Sequence, residues 1–178
     1  MTVHHRVRTL TFNVVLVTAI ACSLSGPAAA RENKSPVRRV RSIDPSIAAL
    51  IEQSITRSPT FNRLVATVEA SNGIVHVQSG RCRGGVVACL PIWMTSSGGN
   101  RFMRIVVDRE RIDSDGELLG AIGHELQHAI EVLSDRFVTS STKMYFFYRR
   151  YAPTARERFE TPDATDAGNA VERELRAW

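Results

Sequence analysis

The stretch that decides the fold is Asp115–Leu133, DGELLGAIGHELQHAIEVL. Leu118, Leu119, Ile122, Leu126, Ile130 and Leu133 recur at helical spacing and give a broad apolar face. Asp115 and Glu117 place negative charge in the first turn, where the helix dipole favours it. So wide an apolar face predicts a helix buried against a sheet.

Working outward, the flanking segments supply that sheet and more helices. Upstream, Asp44 can cap a helix with Pro45 at its first position, and Ile47, Leu50, Ile51 and Ile55 follow at helical spacing. A second helix is expected from Ser58-Pro59, with Phe61, Leu64, Val65 and Val68 on one face, ended by Asn72-Gly73. Three strands are expected: Ile74–Val77, Cys89–Thr95 and Phe102–Asp108, the last two joined by a turn at Gly98-Gly99. Pro91 cannot donate to a ladder, so Cys89–Thr95 is expected at a sheet edge. Downstream, helices are expected near Thr142–Arg150 and over Pro162–Arg176, the latter capped by Thr161. No internal repeat is visible. The expectation is an α+β domain over residues 42–178, a small antiparallel or mixed sheet packed on the long helix with further helices around it.

Chemistry concentrates in the middle of the long helix. His124 and His128 are four residues apart, so they project from one face a turn apart and can share one metal ion. Glu125 lies about 100° round the helix, suited to act on a metal-bound water rather than to ligate. Zinc lowers the pKa of such a water, and Glu125 is the candidate general base.

The segment Gly123-His124-Glu125-Leu126-Gln127-His128-Ala129 resembles the active-site helix of zincin metallopeptidases, and the chain is similar to small exported bacterial proteins carrying this motif. The resemblance implies a zincin-like domain with His124 and His128 as zinc ligands and Glu125 as base. It also implies an edge strand, here Cys89–Thr95, that holds an extended peptide beside the metal. No histidine follows His128, which excludes the longer pattern with a third histidine. A carboxylate must complete the set. Glu160, just before the last helix, is the leading candidate and resembles the glutamate of glutamate-liganded zincins; Glu131, Asp163 and Asp166 stay open. Glu131 is two turns from His124, better placed to contact His128 from behind the metal. Tyr145, Tyr148 and Tyr151 lie between the motif and Glu160, and one of them can supply an oxyanion donor or simply an aromatic packing face. His76 alternates with valines and reads as a half-exposed strand residue.

The N-terminus addresses the chain. Arg6 and Arg8 precede an apolar run at Leu10–Leu24, and Ala28-Ala29-Ala30 is a small-residue cleavage site, the layout of a secretory signal peptide over residues 1–30. Lipidation at Cys22 is the weaker reading. Removing residues 1–30 takes two basic residues and no acid from 23 and 18, leaving a net charge of +3. The basic run at residues 31–41 reads as a flexible arm, and with no aromatic residues interleaved it argues against nucleic acid. Cys82 and Cys89 are expected to pair in an oxidising compartment. The functional expectation is therefore a monomeric, exported, zinc-dependent peptidase with a peptide or protein substrate and no stable membrane span once the signal is removed. The alternative is a non-catalytic exported zinc-binding or interaction domain.

Overall fold

The structure, a computed structural model, describes residues 38–151 and 159–176, without the side chain of Tyr151. The expected signal peptide and residues 31–37 lie outside the described residues. Two strands and two helices open the domain: β1 (Val40–Ser42), α1 (Pro45–Arg57), α2 (Pro59–Glu69) and β2 (Gly73–Ser79). Three strands follow: β3 (Ala88–Cys89), β4 (Thr95–Ser97) and β5 (Asn100–Val107). Three helices complete it: α3 (Asp115–Ser134), α4 (Ser141–Tyr151) and α5 (Pro162–Arg176). The fold is α+β, as expected.

The sheet is mixed. β1, β2 and β5 run parallel, while β3 and β4 pair antiparallel along the far edge of β5. Val75, Val77, Met103, Ile105 and Val107 are buried on the face that carries the helices, against Ile122, Leu126 and Ala129 of α3. Cys82 and Cys89, the last residue of β3, form a disulfide. Gly98 and Gly99 both have positive φ, the backbone of the tight turn between β4 and β5. Among the described residues, no helix is long and apolar enough to cross a membrane.

Three differences from the sequence reading have local causes. The sheet begins inside the expected flexible arm: Val40 is buried, and the Val75 N–H donates to the Arg39 carbonyl. Helix α2 stops at Glu69, and the Ser71 hydroxyl takes over, donating to the Val68 carbonyl and accepting from the Gly73 N–H. The expected strand Cys89–Thr95 is paired only at its ends. Residues 90–94 oppose residues 103–105 of β5, so five residues stand against three and bulge out of the ladder. Pro91, with no N–H to give, lies in the bulge.

Side chains close the helix ends. Asp44 accepts from the Ser46 and Ile47 N–H groups. Ser58 ends α1 and caps α2, accepting from the Phe61 N–H. Glu174 of α5 reaches the same end of α2, accepting from the Ser58 and Thr60 hydroxyls and the Thr60 N–H. Helix α3 has no basic residue in its last turn. Arg101 of β5 supplies the charge instead: only 5% exposed, it donates to the carbonyls of Leu133 (2.6 Å), Asp135 (2.8 Å) and Val138 (3.1 Å), and its Nε to Asn72. This satisfies carbonyls that a helix C-terminus leaves without partners.

Arg101→Met should therefore lower stability by about 3 kcal/mol, because it strands several buried carbonyls, and the shift is read from the guanidinium unfolding midpoint. Glu174 gives a pH test. Burial acts to raise its carboxyl, but the hydrogen bonds from Ser58 and Thr60 prevail and hold it below its ordinary value. A carboxyl depressed in the folded state stabilises above its unfolded pKa and loses that contribution as pH falls through its folded value. Glu174→Gln should thus lower stability by about 1 kcal/mol near neutrality, with the gap to wild type shrinking as pH drops below about 4 in thermal denaturation.

Candidate metal centre

Helix α3 carries His124 and His128 one turn apart, with ring centroids 4.8 Å apart. Helix α5 brings the third group. Thr161 caps α5, accepting from the Ala164 N–H at 3.1 Å, and Pro162 takes the first helical position. That start leaves the preceding residue, Glu160, with its Oε2 3.2 Å from His124 Nε2. One ligand atom from each of His124, His128 and Glu160 lies within 4.8 Å of the others, so the three could hold a metal ion.

Glycines allow this approach. A Cβ on Gly168 of α5 would stand 3.0 Å from the Gly120 carbonyl and 3.0 Å from the His124 Cβ. A Cβ on Gly123 would press on Val171 at 3.0 Å. A glycine inside a helix costs about 1 kcal/mol relative to alanine, and here the loss lets α5 cross α3 almost backbone to backbone beside the first histidine. The signal was legible as Gly120, Gly123 and Gly168, but nothing in the sequence paired them.

Glu131 ties the pieces together. Its Oε2 is 3.0 Å from His128 Nδ1, and its Oε1 accepts from the Thr161 hydroxyl at 2.6 Å. A carboxylate can only accept, so Nδ1 carries a proton, and in the neutral imidazole Nε2 keeps a lone pair. His128 Nε2 is buried and has no hydrogen-bond partner, which is unusual for a polar atom in a protein interior. An imidazole held by a carboxylate behind it, its other nitrogen bare and next to a second histidine and a glutamate, fits a metal ligand. Burial acts to lower the His128 pKa, but the Glu131 hydrogen bond and the nearby carboxylates raise it overall. His124 is lowered, first by burial and then by His128.

Glu125 is 8% exposed and accepts a hydrogen bond from the Leu90 N–H in the bulge. Burial pushes its carboxyl up to about 7, against the opposing pull of His128. Tyr148 of α4 is buried, stacks on Phe159 at 4.3 Å and meets the His128 ring edge-on at 6.4 Å. Burial, then the charges of Glu125 and Glu131, raise its phenol, so it stays a neutral donor.

The sequence candidates therefore separate. His124, His128, Glu125, Glu131 and Glu160 converge, with Glu131 behind His128 rather than in the metal-holding group. Asp163 and Asp166 are exposed on α5 outside that group. Tyr145 is 45% exposed and pairs with Phe146. His76 is half-buried on β2, as expected.

Glu131→Gln should weaken metal retention about 10- to 100-fold while leaving the fold intact, and His128→Ala should abolish it. Both are read by competition with a chromophoric chelator alongside circular dichroism. Unchanged retention in His128→Ala would remove the site. Comparison with family models, curated proteins and solved structures finds no match to this chain, so what the centre can do rests on its own residues.

Proposed function

We propose that the chain is a zinc-dependent hydrolase of the zincin type that cleaves peptide bonds outside the cytoplasm. The observation that carries this reading is the bare, buried His128 Nε2 set beside His124 and Glu160, with a buried carboxylate, Glu125, on the same helix. His124, His128 and Glu160 would hold the ion. When bound, zinc supplies a Lewis acid that acidifies water and polarises a carbonyl.

The chain's own residues do the rest. Glu125 takes the proton of the attacking water and passes it to the leaving amine; a carboxyl near 7 suits both directions of transfer. The Leu90 N–H donates to that carboxylate. Tyr148 is the neutral donor assigned to the developing oxyanion. Glu131 holds His128 in one tautomer and, through Thr161, fixes the residue next to Glu160. The bulge at residues 90–94 alters the expected peptide-binding edge: strand addition would have to use the exposed β4, Thr95–Ser97. The signal-like N-terminus and the disulfide support an oxidising, extracytoplasmic setting.

The test is zinc content and hydrolysis measured together. Wild type should hold about one zinc per chain and cleave an unstructured protein such as casein. Glu125→Gln should keep the zinc and lose roughly 10²- to 10⁴-fold in rate. Cleavage unaffected by Glu125→Gln, or zinc bound with no hydrolysis of any unstructured protein or peptide library, would leave the second sequence reading, a non-catalytic zinc module.

A further inference from the structure

The face of the sheet turned away from the helices carries a second constellation. Arg41, His76 and Arg104 are register partners across β1, β2 and β5, so three basic side chains stand in one row. Neither arginine has a carboxylate partner among the described residues. Arg41 Nη2 lies 3.4 Å from His76 Nε2, and the Arg104 guanidinium sits 5.2 Å over the Trp93 ring. The Nε atoms of both arginines are buried without hydrogen-bond partners. Burial, then the charge of Arg41, hold His76 below its ordinary pKa, so its bare nitrogen accepts from Arg41.

Two guanidinium groups flanking one imidazole repel each other, and this row keeps no acid to offset the repulsion. Beside it opens a groove of about 410 Å³, within the size range of small-molecule sites, lined by His76 and Arg104 of the row, with Arg41 behind His76. Trp93, Phe102 and Ile43 give it apolar walls, and Thr95 and Ser97 put hydroxyls at its β4 rim. Trp93 is 40% and Ile43 88% exposed, so the walls are open to a ligand. The row is one side chain deep along each strand, too short for the basic track that follows a nucleic-acid backbone.

We propose that this groove binds a small organic anion, its oxyanion head on Arg104 beside His76 and within the field of Arg41, and its aromatic or apolar body against Trp93 and Phe102. Guanidinium forks recognise oxyanions through charge-assisted hydrogen bonds, and the ring faces cover the body. The site is separate from the metal centre and does not depend on its chemistry.

Trp93 and Trp178 are the two tryptophans of the chain, so Trp178→Phe makes Trp93 the reporter. Phenyl phosphate, titrated into the full chain carrying that substitution, should change Trp93 emission saturably. Calorimetry should return the same affinity. Inorganic phosphate and benzyl alcohol should each bind at least about tenfold more weakly, since each keeps half of the recognition. Arg41→Met with Arg104→Met should weaken phenyl phosphate at least about tenfold. Glu125→Gln should leave it unchanged. No saturable response, or a response that survives the double arginine substitution, overturns the proposal. Inorganic phosphate binding as tightly leaves a simple anion site, and benzyl alcohol binding as tightly leaves an apolar groove; either also overturns it. If the double variant fails to fold, the ranking of the three probes on the parent chain decides.

Discussion

The close crossing of α5 over α3 is the constraint on which the rest of the site depends. Gly120 and Gly168 let the two backbones approach until a single added carbon on either would press on the other's carbonyl. Because α5 is anchored there, its capped start falls at the histidine face of α3, and Glu160 meets His124. The other end of α5 is fixed too, since Glu174 grips the N-terminus of α2. A helix held at its middle and its far end has little freedom to move its first residue. A ligand carried on a chain segment outside any helix would otherwise lose conformational entropy on being ordered.

Within that frame one carboxylate does two positional jobs. Glu131 joins α3 to the cap of α5 through Thr161 and sets the tautomer of His128. Both of its oxygens are engaged. Its ordinary tendency to rise on burial is outweighed by the hydrogen bonds to His128 and Thr161, so it stays charged. Glu125, more deeply buried and with one backbone donor, rises to about 7. Two glutamates six residues apart on one helix thus differ in protonation because their burial and their partners differ, which divides holding from proton transfer.

Much of this was legible in the sequence, and what was not has a common cause. Helix α3 and both histidines follow from a period of 3.6, and the caps at Asp44, Ser58 and Thr161 follow from residue type next to proline. The α+β class followed from the order of the elements. Glu160 could be ranked but not chosen, because its place depends on the α3–α5 crossing, and that contact joins glycines 48 residues apart whose pairing no local pattern encodes. Arg101 was hidden for the same reason: on β5 it looks like any alternating polar residue, yet it turns inward to close the end of α3. Strand β1 was masked by its charge. Val40 sits among arginines that composition reads as a solvated arm, while parallel pairing with β2 buries it.

The bulge at residues 90–94 was misread as regular strand, and its irregularity has consequences on both faces of the sheet. A strand in register would spend the Leu90 N–H on β5 or on solvent. Lifted out by two extra residues, Leu90 turns that N–H to the Glu125 carboxylate beneath. The loop then closes on itself, with the Trp93 N–H 2.6 Å from the Pro91 carbonyl, and Met94 is tied to α4 by the Ser141 hydroxyl. Between these anchors Trp93 emerges on the opposite face, over Arg104. Alternation in a flat strand would also place neighbouring side chains on opposite faces, but it would leave no free backbone donor for the carboxylate. Five residues against three provide both: a backbone group aimed at the buried acid and an aromatic ring aimed at the basic row. Pro91, the residue that marked this stretch as an edge, is also what keeps it from re-forming a ladder.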